Sequence, residues 1–145
     1  MAPVLLGTDG TGLAGGLDTL RLSLHVLAAT VWVGGQLVMM GLVGPARNLG
    51  HDTAKVLARA FARLAWPAYA VLVVTGFWNI STSTWSQQSA AWKSVLIAKV
   101  VVVALAGLGA LLHQRATSKV GLALWGSVAG LASVAALVMG VLLAG

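Results

Sequence analysis

The sequence predicts an all-α integral membrane protein, a four-helix bundle with both termini on the non-cytoplasmic side. Three observations support this class. The chain has 145 residues, is 59% hydrophobic and 8% charged, and has a mean hydropathy of +0.93, as is typical of membrane proteins. Four apolar stretches approach the roughly 20 residues that a bilayer-spanning helix needs. The basic residues are concentrated in two connecting segments, as the positive-inside rule expects.

The four apolar stretches account for most of the chain. They lie at about residues 20–43, 64–80, 94–112 and 120–143. Short loops take up the rest, so we expect one transmembrane domain over residues 1–145 and no soluble domain. The residues before Arg21 contain two acids and no base, unlike a secretory signal peptide. We interpret them as a short Gly-rich tail outside the cytoplasm.

The segment between the first and second spans is predicted to be partly helical. Pro45 is expected to end the first span. Asp52 and Thr53 offer an N-cap, and good helix formers follow them. Residues 53–63 are therefore predicted to be a cytoplasmic helical extension of the second span.

The nine basic residues are divided unequally between the two sides of the predicted bundle. Six lie between the first and second spans or between the third and fourth: Arg47, Lys55, Arg59, Arg63, Arg115 and Lys119. Arg21 and Lys93 flank the other side, and Lys99 falls inside a span. This asymmetry places both termini outside the cytoplasm. The formal charge of +6 then reflects topology rather than binding to nucleic acid.

Three of these bases form a stripe on the predicted extension. Lys55, Arg59 and Arg63 recur every four residues, which places them on one face of a helix. We expect this stripe to contact anionic lipid headgroups at the cytoplasmic surface.

Small residues in the fourth span predict close helix packing. Gly126 and Gly130 have the GxxxG spacing. This packing could occur within the bundle or against another subunit, so a homo-oligomer and a larger membrane complex both stay open.

Polar side chains inside the first span suggest a binding face. At about 100° per residue, His25, Trp32 and Gln36 fall on one helical face with a drift of only about 20°. A histidine hydrogen-bonded to a neighbouring helix and a packing tryptophan are the simpler alternatives. We treat the three residues together as candidate cofactor-binding residues.

Lys99 adds to this candidate site. A lysine inside a span costs on the order of 2.5 to 3.5 kcal/mol, so such residues often face a cavity or a partner, although Lys99 could also extend to the interface. By helix rise, His25 and Lys99 lie at the same depth, and Met139 falls in the same layer. His25 and Met139 are the candidate metal ligands. His113 lies about 21 Å further toward the cytoplasm, where a histidine needs no special role.

The composition excludes several kinds of chemistry. The only acids are Asp9, Asp18 and Asp52, none of them in mid-span, so paired carboxylates cannot act within the bilayer. The chain has no cysteine, which removes disulfides, thiolate metal sites and c-type haem attachment. No catalytic residues are predicted.

Three segments of the chain together resemble a known family. They are LHVLAATVWVGG in the first span, RAFARLAWPAYAVLVVTGFWN leading through the second, and SVLIAKVVVVALAGLGALLHQR in the third. In order and spacing they resemble the copper resistance protein D (CopD) family of bacterial membrane proteins. The resemblance covers roughly residues 24–115. It rests on H-x6-W-x-G-G, on the TG pair of the second span and on the lysine early in the third.

The resemblance implies a multi-pass protein of the bacterial inner membrane with a role in copper uptake or handling. The chain is similar, more distantly, to HemJ-type protoporphyrinogen oxidases, a comparison that implies a haem- or porphyrin-linked pair of His25 and Lys99. It differs from the larger CopD proteins in having four spans and no soluble copper-binding domain.

Three functions follow as alternatives. Copper handling is the first, although a protonated Lys99 would repel a cation at the same depth. Binding of haem b or a porphyrin is the second, with His25 as axial ligand, Trp32 for stacking and Lys99 for the propionates. A non-catalytic accessory subunit of a larger membrane complex is the third. Enzymatic activity is expected only if the chain acts like the HemJ-type protoporphyrinogen oxidases.

Overall fold

The computed structural model describes residues 15–50 and 52–144. In this part of the chain, four helices are long and apolar enough to cross a membrane: α1 (Gly16–Leu49), α2 (Thr53–Ser81), α3 (Ala90–Arg115) and α4 (Lys119–Ala144). A 3₁₀ turn, Trp85–Gln87, lies between α2 and α3. The predicted all-α class and the four candidate spans are confirmed, and the side on which the termini lie stays a prediction.

The connection between α1 and α2 differs from the prediction. Pro45 does not end the first helix but lies inside α1, which continues to Leu49. A proline removes one backbone hydrogen bond and bends a helix, yet the helix can continue beyond it. The chain leaves α1 at Gly50, whose φ of +151° favours glycine because it has no Cβ.

The start of α2 also differs in detail. Asp52 occupies the N-cap position, but its side chain makes no capping hydrogen bond there. Its carboxylate instead pairs with Lys55 of the next turn, at 3.3 Å. From Thr53 the helix runs without interruption to Ser81 and includes Pro67, so the predicted extension and the second span are one helix.

The chain divides into two compact units, with the boundary between Trp85 and Ser86. The first hairpin consists of α1 and α2, and the second hairpin consists of α3 and α4. Packing of all four helices into one bundle stays a prediction.

Small and aromatic side chains hold the first hairpin together. Ala28 of α1 and Ala65 of α2 are buried. Further along, the ring of Phe61 lies against the backbone of Gly35, where a methyl group would come within 2.9 Å of ring atom Cζ. A larger residue at position 35 would therefore require the Phe61 ring to move.

The second hairpin is held by a closer backbone approach. The backbone of Gly109 in α3 faces that of Ala129 in α4, and a methyl group on Gly109 would lie 2.9 Å from the Ala129 nitrogen. The two glycines of the GxxxG pair, both predicted to allow close packing, have different surroundings in this hairpin. Gly126 faces the ring of His113. The Cβ position of Gly130, by contrast, has no atom of the described residues within 4 Å apart from its chain neighbours and the adjacent backbone of its own helix.

The outer faces of the helices are aliphatic. Leu17, Leu64, Ile97 and Leu131, one from each helix, are each more than half exposed. Soluble proteins rarely expose apolar surface on this scale, whereas lipid-facing helices do. The surface therefore agrees with a multi-pass membrane protein.

Candidate functional site

His25 is held by a threonine of the neighbouring helix. Its Nδ1 lies 2.7 Å from Oγ1 of Thr75, a residue that is only 3% exposed. Oγ1 of Thr75 in turn donates to the carbonyl of Val71, one turn earlier in α2, at 2.7 Å. A hydroxyl has a single proton, so Nδ1 of His25 is the donor in this contact. The lone pair of the neutral imidazole is therefore on Nε2, the nitrogen suited to a metal or a proton.

Gly76 provides room beside the same ring. A methyl group at Gly76 would lie 3.7 Å from Cε1 of His25, in ordinary van der Waals contact. Thr75 and Gly76 are the TG pair of the sequence pattern, whose contact with His25 the sequence analysis did not foresee. The sequence feature that could have indicated this contact is a polar residue next to a glycine within an apolar span.

Trp32 packs inside the first hairpin, as the simpler alternative in the sequence analysis had it. It is 3% exposed and packs against Trp66 and Tyr69 of α2, with ring centroids 5.8 and 4.6 Å away. The centroids of Trp66 and Tyr69 are themselves 5.9 Å apart. These three rings form an aromatic cluster in the core of the first hairpin.

A π-helical turn, Thr30–Gly34, underlies this arrangement. A π turn has more residues than an α-helical turn, so the constant 100° step used for His25, Trp32 and Gln36 does not hold across it. His25 and Trp32 nevertheless both contact α2. The amide of Gln36 donates to the carbonyl of Trp32 at 3.1 Å, within its own helix.

Arg21 is a buried charge that the sequence analysis treated only as a flanking residue. It is 5% exposed and pairs with the Asp18 carboxylate at 2.8 Å. Its guanidinium also donates to the hydroxyl of Thr82 at the end of α2. Arg21 precedes His25 by one helical turn, and this spacing was the signal that could have linked the two.

Lys99 and Met139 belong to the second hairpin. The half-buried Lys99 extends over Gly140, where a methyl group would lie 3.0 Å from Nζ. Met139 is half-buried and precedes this glycine. A site shared by these residues with His25 stays a prediction.

His113 has a structural contact. Its Nδ1 lies 2.8 Å from the carbonyl oxygen of Leu122, and a carbonyl only accepts, so Nδ1 is the donor. The contact joins the end of α3 to the start of α4. Packing of the ring over Gly126 strengthens the same connection.

Among residues 15–50 and 52–144, no group of three or more His, Cys, Asp or Glu residues is placed to hold a metal ion. A metal bound at His25 would therefore need ligands of other kinds, such as methionine, water or a cofactor that supplies most of its ligands.

Comparison of the chain with protein-family models, with curated proteins and with solved structures gives no match. The relation to CopD and HemJ proteins therefore rests on the sequence patterns alone and stays a prediction.

Proposed function

We propose that this chain is a CopD-like protein of the bacterial inner membrane that takes up or handles copper, with His25 as a copper ligand. The observation that carries the proposal is the hydrogen bond between His25 and Thr75. Histidine ligands commonly donate their second ring N–H to an oxygen, which fixes the tautomer and the ring orientation. The first hairpin supplies this arrangement at the histidine that the sequence pattern singles out.

The chemistry of copper(I) suits the residues available. Imidazole and thioether groups are accepted ligands for this ion, and a cysteine is not required. The sequence-based prediction of equal depth makes Met139 the candidate second ligand. A protonated Lys99 at the same depth would repel a cation, which weighs against a simple copper pore.

Haem b is the second candidate, because one imidazole with a fixed tautomer is sufficient as an axial ligand. The resemblance to HemJ-type proteins implies His25 as its axial ligand and Lys99 as the partner of a propionate. Trp32 fits it poorly because the indole is buried against Trp66 and Tyr69 rather than available for stacking. This mismatch makes copper the first choice.

Copper and haem content of the purified protein tests the site. We expect the parent to bind copper and His25→Ala to lose it, whereas His113→Ala keeps it. Thr75→Val should weaken binding about 10- to 100-fold, as loss of a residue that orients a ligand typically does. The measurements are metal analysis, copper titration and a visible spectrum, each with a thermal melt to verify folding.

Three other results would each support a different function or a different site. A Soret band that disappears in His25→Ala would replace copper by haem. Copper lost in His113→Ala but retained in His25→Ala would contradict the assignment of the site. A folded parent that binds neither would favour the accessory-subunit function.

Both termini are proposed to lie outside the cytoplasm. The support is the distribution of bases, together with the exposed stripe of Lys55, Arg59 and Arg63 on α2. Alkaline phosphatase, which is active only outside the cytoplasm, should be active when fused after Gly145. It should be inactive when inserted in the connection at residues 116–118. The reverse pattern would contradict the topology.

A further inference from the structure

An open cavity of about 400 Å³ lies where the start of α1 meets the end of α2. Its lining residues are Gly15, Gly16, Leu17, Asp18, Trp78 and Thr82. Both helices are candidate membrane spans, and the ends of a span lie where phospholipid headgroups meet the hydrocarbon core. In a bilayer, the cavity would therefore lie at the depth of the headgroups.

The start of α1 gives the cavity a side suited to an anion. Gly15 occupies the N-cap position, where no side chain caps the helix. Apart from chain neighbours and the adjacent backbone of its own helix, no heavy atom of the described residues lies within 4 Å of the Cβ position of Gly16. The first N–H groups of a helix have no acceptor within the helix and favour anions such as phosphate.

Arg21 adds a buried donor next to the same cavity. It is 5% exposed, and its guanidinium pairs with Asp18 and donates to Thr82, both of which line the cavity. Its Nε is buried and has no hydrogen-bond partner among the described residues. Because the guanidinium is held against two lining side chains, this donor lies close to the cavity, where a phosphate oxygen is a matching acceptor.

Asp18 and Trp78 give the cavity a second side, suited to a cation. The Asp18 side chain keeps 24% of its surface exposed, and Trp78 is 38% exposed. A carboxylate accepts hydrogen bonds from an ammonium group, and an indole attracts a cation to its ring face. The pair of Arg21 and Asp18 has no net charge, so a ligand that carries both charges complements the cavity better than a simple anion or cation.

We propose that the cavity binds the headgroup of a phospholipid that carries a phosphate and a primary ammonium group, as phosphatidylethanolamine does. The phosphate lies at the start of α1, beside Gly16 and the Arg21 guanidinium. The ammonium group lies between Asp18 and Trp78.

Apolar side chains beside the cavity favour a membrane lipid over a soluble phosphoamine. Leu17 lines the cavity and is 72% exposed, and Leu20, about one turn further along α1, is 51% exposed. They extend the cavity into an aliphatic surface suited to an acyl chain. The inference goes beyond copper binding and does not depend on it.

Lipid binding to the delipidated full chain in detergent, measured by native mass spectrometry, tests the proposal. The probes are phosphatidylethanolamine and phosphatidylglycerol with the same acyl chains, of which only the first carries an ammonium group. Gly16→Leu fills the cavity from a position with room for a side chain. We expect it to weaken the tightest phosphatidylethanolamine site at least ten-fold and to leave phosphatidylglycerol binding unchanged.

Gly41→Leu is the matched control. It makes the same change in the same helix, at a second glycine whose Cβ position has equal room, but it lies outside the cavity. We expect it to bind both lipids like the parent. Gly16→Leu that weakens phosphatidylglycerol as much as phosphatidylethanolamine would contradict the ammonium-bearing headgroup.

A second pair of variants tests the cation side, and a thermal melt followed by circular dichroism verifies that each variant is folded. Trp78→Leu is expected to weaken phosphatidylethanolamine binding about two- to five-fold. Trp85→Leu, in the 3₁₀ turn outside the cavity, should not. Equal phosphatidylethanolamine binding by the parent, Gly16→Leu and Trp78→Leu would overturn the proposal. Displacement of the lipid by an equal concentration of free phosphoethanolamine would overturn the assignment to a membrane lipid.

Discussion

Gly109→Ala is expected to destabilise the second hairpin by about 1–3 kcal/mol, as overpacking of a close contact does. The added methyl group would lie 2.9 Å from the backbone nitrogen of Ala129 and 3.2 Å from its Cα. A side chain could rotate away from such a contact, but a helix backbone must shift as a whole. Thermal or denaturant unfolding in detergent micelles, followed by circular dichroism, measures the effect.

Gly130→Ala is the matched control for this substitution. It lies in α4 and makes the same chemical change, but apart from its chain neighbours and the adjacent backbone of its own helix no heavy atom of the described residues lies within 4 Å of its Cβ position. We expect a change within about 0.5 kcal/mol. Equal destabilisation by both variants would show that the Gly109 contact does not hold the hairpin.

Arg21→Met is expected to destabilise the first hairpin by roughly 3 kcal/mol, the lower end of the range for breaking a buried ion pair. The lower end applies because the Asp18 side chain keeps 24% of its surface exposed. The variant leaves that carboxylate without its cation and Thr82 without a donor. The free energy of unfolding in micelles is the measured quantity, and Asp18→Asn added to Arg21→Met should recover part of the loss.

The exposed ion pair of Lys55 and Asp52 provides the comparison. It has the same i, i+3 spacing, but its side chains are 59% and 84% exposed. Exposed pairs contribute about 0–1 kcal/mol, so Lys55→Met should have a small effect. If Arg21→Met and Lys55→Met cost the same, burial of Arg21 is not important for stability.

The helices could be predicted from sequence because the rule behind them is local. A backbone in lipid must satisfy its hydrogen bonds within the segment, so a long apolar stretch specifies a helix. The end of α1 could not be predicted in this way. A proline can end a helix or only bend it, so Pro45 does not decide whether α1 stops there or continues to Leu49.

The candidate site could be predicted only in part, for a related reason. His25 was recognisable as a polar residue in an apolar span. Its partner Thr75 was not, because the register of α1 against α2 is set by packing of side chains far apart in sequence. Trp32 was grouped with His25 by periodicity, yet its closest ring contacts are in the aromatic cluster. Arg21 was counted for topology, and counting bases does not reveal which of them is buried.

The division into two hairpins has a consequence for how the protein enters the membrane. Two polar side chains have contacts inside their own hairpin: Arg21 pairs with Asp18, and His113 donates to the carbonyl of Leu122. In a membrane protein, each pair of helices could therefore insert with these contacts already formed. This division favours insertion in two steps, first the pair α1 and α2 with His25 and then the pair α3 and α4.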